Sequence, residues 1–333
     1  MVRDIQLKNL VMTKKIKFSI VIAVFNRPSE IEELLKSMSL QDYRDFEIII
    51  VEDGSEKSSR EVVSSYNDKL NIFYYFIENR GPALARNFGV SKSKGEWIIF
   101  FDSDCTIPSN YFFEVEKYLK KKSINFYGGP DMMDQSFSYL QKSINFSMTS
   151  LLTTGGIRGN KKSIDKFLPR SFNMGVRKKD FDSVKGFSDI RQYGEDLDLS
   201  YKLIFSGKKS ALISEAKVFH KRRTDIFNFF NQMFKSGKGR HYLNLKYNNT
   251  FKLFHLLPSL FLLGFILGIL LFAFNYFKYS NIILGIYMIY SILIFILSTI
   301  INKNPIIGFL SVVTTFCQFF GYGAGFIYAL VKK

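Results

Sequence analysis

The chain has 333 residues, enough for one large α/β domain and an appendage, and only two cysteines, too few for a framework of disulfide bonds. Its formal net charge of +17 is concentrated: between Lys202 and Lys252, twelve Lys and Arg residues stand against two acids, directly before a strongly apolar region. Basic segments beside membrane spans are attracted to anionic lipid head groups, so this distribution favours membrane lipids over nucleic acid as the partner. A solvated basic face is the plainer alternative.

Residues 1–17 form a charged N-terminal extension without an apolar core of the length of a signal peptide. The domain that follows is therefore predicted to stay in the cytoplasm. From the shift in composition we predict an α/β domain at 18–224, a basic amphipathic interface segment at 225–252 and a membrane region at 253–333.

Strand and helix patterns alternate in the α/β domain. Apolar, β-branched runs that end in polar residues predict buried strands, with helical patterns between them. The strands are predicted at 18–25, 46–51, 71–77 and 97–101, and the longer helices at 29–40 and 82–93. This alternation predicts right-handed βαβ units and a mostly parallel, Rossmann-like sheet. Because open α/β sheets bind ligands outside the carboxyl ends of their strands, the polar strand ends mark the predicted site.

Two acidic motifs carry the candidate chemistry. Asp102 and Asp104 alternate at the end of the fourth predicted strand, so both carboxylates can project into one cleft. Carboxylates are hard ligands and, together with diphosphate oxygens, suit Mg²⁺ or Mn²⁺. Glu195 and Asp196 follow Gly194 and open a helix, where backbone donors and the helix dipole favour carboxylates. A surface turn and an acidic helix cap are the plainer interpretations, but the strand end and the glycine place both motifs at a cleft.

Beyond residue 225, apolar side chains recur at helical spacing beside basic ones. The pattern predicts either an amphipathic helix at the membrane interface or a helix packed on the preceding domain. Three apolar segments follow, each of about the 20 residues that span a bilayer. They run over 254–277, 282–301 and 305–331, with polar breaks at 278–281 and 302–304. Three spans would leave Lys332 and Lys333 outside, against the positive-inside rule, so a re-entrant or hairpin third segment is the alternative, and we predict two to three spans.

Taken in chain order, these motifs resemble the signature of glycosyltransferase family 2. The pieces are Ser19-Ile20-Val21-Ile22 to Asn26-Arg27, Val51-Glu52-Asp53-Gly54-Ser55, Asn79-Arg80-Gly81 to Ala85-Arg86-Asn87, Gly95 to Asp102-Ser103-Asp104, and Gly194-Glu195-Asp196. The match covers about residues 18–225. It implies a GT-A fold, a nucleotide-diphosphate sugar as donor, a divalent cation and inversion at the anomeric carbon.

The resemblance implies donor-binding roles for single residues. Asp53 would bind the base of the nucleotide, and Asp102 its ribose. The nucleotide pocket would also be lined by Ala23, Phe25 and Arg27. Arg86 would lie near the diphosphate, although an exposed helix arginine is the plainer interpretation.

The resemblance also implies a metal site and a base. Asp104, with Asp102 beside it, would hold Mn²⁺ or Mg²⁺. His220 is similar to a histidine ligand of many GT-A enzymes, and a surface histidine beside basic residues is the alternative. Asp196 would be the general base that takes the proton of the acceptor hydroxyl, a role worth about 10² to 10⁴ in rate. Glu195 would orient the acceptor or the metal.

Processive polysaccharide synthases of this family carry a Q-x-x-R-W motif, and the nearest match, residues 232–236, lacks both the Arg and the Trp. We therefore expect transfer of one sugar from a nucleotide-diphosphate sugar, a UDP-sugar, to a lipid-linked or glycan hydroxyl acceptor. The expected place is the cytoplasmic face of a bacterial inner membrane, in cell-surface polysaccharide or glycolipid synthesis. Transfer to polyprenyl phosphate, which needs no general base, is one alternative. A non-catalytic membrane scaffold is another, disfavoured because the acidic residues are all present.

Overall fold

The structure is a computed structural model that describes residues 3–4, 16–134, 136–156, 167–190, 194–247 and 250–332. Most of the predicted N-terminal extension at 1–17 lies outside the described residues.

The strands predicted from the sequence form the centre of the main sheet. In chain order the strands are β1 (Arg3–Asp4), β2 (Phe18–Val24), β3 (Phe46–Asp53), β4 (Ile72–Ile77), β5 (Trp97–Asp102), β6 (Cys105–Thr106), β7 (Phe126–Gly128), β8 (Asp131–Met132), β9 (Met174–Arg177), β10 (Ser210–Leu212) and β11 (Val218–His220). Within the described residues the main sheet has the order β1-β4-β3-β2-β5-β9-β7-β10, and β4, β3, β2 and β5 are parallel neighbours. The predicted parallel α/β sheet is confirmed for this centre, whereas β9 runs antiparallel to both β5 and β7.

Helices cover both faces of this sheet. In chain order the helices are α1 (Pro28–Ser39), α2 (Arg60–Ser64), α3 (Pro82–Lys92), α4 (Tyr111–Lys121), α5 (Tyr139–Thr149), α6 (Leu151–Thr154), α7 (Lys178–Ser183), α8 (Glu195–Phe205), α9 (Ile226–Lys246), α10 (Leu257–Ala273), α11 (Phe277–Asn302) and α12 (Pro305–Val331). Ile31 of α1 and Phe112 of α4 belong to one core, and Ala85 of α3 and Leu203 of α8 to the other. Because both faces are covered, all eight residues of β3 are buried, which explains its nearly continuous apolar run.

The apolar side of α9 is buried between α5 and α12. Phe229 and Met233 of α9 pack in one buried cluster with Ile144 of α5. Gly325 of α12 lies so close to α9 that a Cβ atom there would come within 2.0 Å of the Phe234 carbonyl oxygen. Of the two arrangements predicted for this segment, α9 therefore packs on the preceding domain, and a C-terminal apolar helix covers its other side.

Three C-terminal helices are long and apolar enough to cross a membrane. They are Leu253–Ala273, which includes a 3-10 turn before α10, Phe277–Asn302 and Pro305–Val331. The break before α11 lies at 274–276, where Asn275 has a φ of 64°, and not at the predicted 278–281, which form part of the first turns of α11. Asn adopts this left-handed conformation more readily than most residues. The third segment is one continuous helix, so it is not a hairpin.

Candidate active site

The carboxyl ends of β2 and β5 meet at a charged pair. The parallel register of the two strands places Ala23 opposite Asp102. Arg27 lies just before α1, and its Nη1 donates to Oδ2 of Asp104 at 2.5 Å. The first and fourth predicted strands thus bring their polar ends together, as expected at the carboxyl edge of a parallel sheet.

A second, three-stranded sheet positions His220. Within the described residues its order is β6-β11-β8, and its register pairs His220 with Cys105 on one side and Val218 with Asp131 on the other. The Nε2 atom of His220 consequently lies 3.2 Å from Oδ1 of Asp104. Its Nδ1 atom lies 3.8 Å from Oδ1 of Asp131.

The charges around His220 balance one another. Burial lowers the pKa of His220, but the two carboxylates of Asp104 and Asp131 outweigh it and raise this pKa to about 9. Burial raises the pKa of Asp104, but His220 and Arg27 outweigh it and hold this pKa well below its ordinary range. The protonated imidazole and the guanidinium therefore compensate the buried carboxylate.

The donor set beside Asp104 fits a divalent cation. Ligand atoms of Asp104, Cys105 and His220 lie within 4.8 Å of one another, and Oδ1 of Asp104 is buried without a well-directed hydrogen bond in the described part of the chain. The 3.2 Å between this oxygen and Nε2 of His220 is close to the roughly 3 Å between neighbouring ligands of a six-coordinate ion with bonds of about 2.1 Å. Burial raises the pKa of the Cys105 thiol well above its ordinary value, which makes the sulfur a poor ligand. A carboxylate oxygen and an imidazole nitrogen remain, and these suit Mn²⁺. His220 would have to lose its proton to bind the cation, so metal binding at this site would release a proton.

Arg86 connects the two acidic motifs. It is 5% exposed, and it donates from Nη2 to Oδ1 of Asp102 at 2.7 Å and from Nη1 to Oε1 of Glu195 at 3.2 Å. Burial lowers the pKa of Arg86, but the neighbouring carboxylates raise it more, so the guanidinium stays charged. Burial and the charge of Asp196 raise the pKa of Glu195 despite Arg86. Arg86 is therefore not an exposed helix arginine: it is buried and joins Asp102 to Glu195.

Helix α8 begins at the second acidic motif. Gly194 precedes it with a φ of 118°, a conformation that favours glycine, and lies against Leu243 of α9. Oδ1 of Asp196 accepts a hydrogen bond from the backbone N–H of Leu197 at 2.7 Å, and Oδ2 lies 3.7 Å from Nη1 of Arg170. Asp196 thus has one oxygen fixed by the backbone and the other beside a more distant cation.

Asp53 is nearly buried at the end of β3. Its carboxylate accepts backbone hydrogen bonds from Arg80 at 2.7 Å and from Gly81 at 2.9 Å, which ties β3 to the loop after β4. Asp53 is 3% exposed, whereas Phe25 nearby in the cavity lining is 50% exposed. The structure gives Asp53 a part in shaping this loop, and its contact with a nucleotide base stays a prediction.

One cavity of about 1390 Å³ joins these groups. All ten residues that the sequence analysis selected line it: Ala23, Phe25, Arg27, Asp53, Arg86, Asp102, Asp104, Glu195, Asp196 and His220. Its lining also includes Phe261 of α10 and Tyr287 of α11. The candidate site is therefore continuous with the surface of the apolar helices.

The site residues predicted from the sequence do not include Arg170, Arg222 or Asp131. Arg222 donates from Nη1 to Oδ2 of Asp131 at 2.8 Å, and both residues are 5% exposed. This buried pair supports His220, because the other oxygen of Asp131 faces the imidazole. The register of three short strands, and not sequence spacing, brings Asp131 beside His220, so no local pattern marks Asp131.

Comparison with known proteins identifies the family of this domain. The sequence pattern described as Glycosyl transferase family 2 matches residues 19–184. An uncharacterized glycosyltransferase of Haemophilus influenzae is 30% identical over 193 residues, 56% of this chain and 61% of that protein. The cholesterol galactosyltransferase of Borreliella burgdorferi is 31% identical over 139 residues, 41% of this chain and 37% of that protein. The chain matches only part of such curated relatives, from 15% to 61% of the relative's own length.

A solved structure shares the fold. The mannosyltransferase PcManGT from Pyrobaculum calidifontis, in complex with GDP-Man and Mn²⁺, aligns with a TM-score of 0.61 over 96% of this chain and 89% of that chain. With 13% sequence identity, this likeness concerns the fold alone. Residues 19–184, with their parallel strands and acidic strand end, therefore form a domain of glycosyltransferase family 2, and the chain combines the GT-A fold with three C-terminal apolar helices.

Proposed function

We propose that the chain is a metal-dependent, inverting glycosyltransferase that moves one sugar from a nucleotide-diphosphate sugar to a hydroxyl group of a lipid-linked acceptor. A UDP-sugar is the expected donor. The observation that carries this proposal is the continuity of the cavity, whose lining extends from Asp104 and Asp196 to α10 and α11. A donor at the sheet and an acceptor in the membrane can meet in this one space.

The proposed location is the cytoplasmic face of a bacterial inner membrane. The three apolar helices support membrane attachment. The α/β domain and the basic stretch between Lys202 and Lys252 both precede the first of these helices, so they share one side of the membrane. Basic residues beside spans favour the cytoplasmic side.

On the donor side, Asp104 and His220 would hold the divalent cation, which when bound offsets the negative charge of the diphosphate. Asp53 and Asp102 would contact the nucleoside, and the buried guanidinium of Arg86 would keep Asp102 in position. The presence of GDP-Man and Mn²⁺ on the mannosyltransferase of the same fold supports a nucleotide sugar used with a metal.

On the acceptor side, Asp196 would accept the proton of the acceptor hydroxyl while that oxygen forms a bond to the anomeric carbon. The bond from this carbon to the nucleotide diphosphate breaks on the opposite face, so the configuration inverts. Glu195, held by Arg86, would orient the acceptor. The name of the cholesterol galactosyltransferase relative supports a lipid as acceptor.

A transfer assay tests the proposal. Full-length protein in detergent is mixed with radiolabelled UDP-sugars, Mn²⁺ and a bacterial lipid extract, and label is measured in the organic phase. We expect metal-dependent labelling that a chelator abolishes and that Glu114→Gln, a control on α4 outside the cavity lining, preserves. If no nucleotide diphosphate or nucleotide sugar stabilises the protein with Mn²⁺ and no lipid is labelled, the non-catalytic scaffold is the better explanation.

A further inference from the structure

The membrane side of the cavity combines an apolar wall with a row of polar groups. Its apolar lining includes Phe261 of α10, Ile283 of α11 and Phe319 of α12. The polar groups are Gln318 and Tyr322 of α12, Arg240 of α9 and Tyr201 of α8, and all four line the cavity. We call these four residues the polar row.

Hydrogen bonds and helix spacing connect the polar row. Gln318 and Tyr322 are four residues apart on α12 and so lie on one face of that helix. Nη1 of Arg240 donates to the Tyr201 hydroxyl at 3.1 Å, and Tyr322 lies near enough to the Arg240 guanidinium to interact with its charge. The row therefore leads from the middle of a membrane helix to the helix that begins at the second acidic motif.

The positive charge of Arg240 has no carboxylate partner among the described residues. Arg240 is half-buried, and no carboxylate of the described residues lies within ion-pair distance of it, although phenol oxygens contact it. A guanidinium taken partly out of water is stabilised far more by a negative charge than by neutral hydroxyls. Phosphate oxygens match the fork of the guanidinium group particularly well.

Gln318 supplies an independent sign of a ligand. It is 5% exposed in the middle of a helix of membrane-spanning length, and its Oε1 is buried with no hydrogen-bond partner in the part of the chain that the structure describes. A buried amide oxygen without a donor destabilises the folded protein, so a ligand that donates a hydrogen bond to it is favoured. An amide offers both donors and an acceptor, so it suits a head group with phosphate oxygens and hydroxyls.

We propose that the acceptor is a membrane lipid with a phosphate in its head group, that this phosphate binds at Arg240, and that the hydrocarbon chain lies along the apolar wall. The inference rests on the proposed function and adds the chemical class of the acceptor. Tyr201, which holds Arg240, is five residues or about 7.5 Å along α8 from Asp196. The phosphate is therefore an anchor, and a hydroxyl several bonds away from it reaches Asp196.

The test uses two probes with the same acyl chains, dioleoyl phosphatidic acid and dioleoylglycerol. Their binding to the detergent-purified full-length protein is measured by native mass spectrometry. We expect the wild type to bind the phosphate lipid about tenfold or more tightly, the size of a charge-assisted hydrogen bond. Arg240→Gln should abolish this preference, Arg240→Lys should keep part of it, and Gln318→Leu should weaken binding of the phosphate lipid with Arg240 intact.

Lys238→Gln is the matched control, because Lys238 lies on the same helix with its ammonium over the Tyr328 ring and outside the cavity lining. This variant should keep the full preference. Equal affinity of the wild type for the two lipids, or an equal loss in Lys238→Gln and Arg240→Gln, would overturn the inference. The increase in Tm caused by UDP and Mn²⁺ is measured on each preparation. If Arg240→Gln keeps this increase, its donor site is folded. If the wild type shows no increase, the result counts against the proposed function and not against the lipid site.

Discussion

Arg86→Met tests whether one buried guanidinium holds the two acidic motifs together. Methionine keeps a long unbranched side chain but removes the charge that Asp102 and Glu195 share. Removing one partner of a buried ion pair costs about 3–5 kcal/mol of unfolding free energy. Because the Asp102 side chain is 29% exposed and water can reach it, we expect the lower end of this range, about 3 kcal/mol.

The loss should depend on pH through Glu195. Its pKa is raised in the folded protein above the ordinary 4.5, so the folded state retains a proton that the unfolded state loses. This stability is present below pH 4.5 and is lost as the pH rises through the folded pKa. Without Arg86 the folded pKa rises further, so Arg86→Met should lose less stability at pH 5 than at pH 8. Adding Glu195→Gln should restore about 1 kcal/mol or more at pH 8 and remove this pH dependence.

The measurement is thermal unfolding of the full-length protein in detergent. A loss of about 3 kcal/mol lowers the Tm by about 6–12 °C in a domain of 150–250 residues. Arg177→Met is the control, because Arg177 stacks over the Trp97 ring at 5.4 Å and has no carboxylate partner among the described residues. We expect it to lose about 1 kcal/mol or less. If both variants lose the same stability at pH 8, or if the loss in Arg86→Met is equal at pH 5 and pH 8, the reasoning is refuted.

Three further predictions concern the metal, the base and the membrane. Asp104→Ala should weaken metal-dependent donor binding together with turnover, whereas Asp196→Asn should keep donor affinity and lower the transfer rate by roughly 10² or more. Calorimetry measures donor binding, and a transfer assay measures the rate. Near-normal transfer by Asp196→Asn would favour Glu195 as the base, or an acceptor that is already ionised when it binds. His220→Ala should raise the Mn²⁺ concentration for half-maximal activity, and an unchanged metal titration would remove it from the metal site. The full chain should resist extraction from membranes by carbonate. A chain ending at residue 249 should be extracted, and it should aggregate because α12 no longer covers the apolar side of α9. Release of the full chain by carbonate would contradict the membrane spans.

The central sheet was predictable because its signals are local. Each of β2 to β5 has six to eight residues, enough for a continuous apolar run with a polar end, and the parallel arrangement follows from the alternation with helices. The strands β7, β8 and β9 have two to four residues, too few for any periodicity. These strands were therefore not predicted, and neither was the antiparallel direction of β9.

The sequence predicts those site residues that stand at a recognisable strand end or helix start. Asp102, Asp104 and Asp196 stand at a strand end or a helix start, and the structure brings all three to one cavity. The partners that set their charges come from elsewhere: Arg86 reaches Glu195 across 109 positions, and Arg222 reaches Asp131 across 91. Such pairs depend on sheet register and helix packing, which residue types along a single strand or helix do not encode.

The packing of α12 explains why a membrane helix forms a wall of the candidate site. Ser147 of α5 lies 2.7 Å, oxygen to oxygen, from Thr314 of α12, and Gly325 of the same helix touches the backbone of α9. The α/β domain is thus packed directly against α12 through α5 and α9. Asp198 ties α8 to the end of α9 by accepting a hydrogen bond from Lys246 at 2.5 Å. Because α8 also carries Asp196, these contacts fix the distance between the proposed base and the membrane helices. We therefore expect the site to select an acceptor by the distance between its hydroxyl group and its membrane anchor, as well as by its charge.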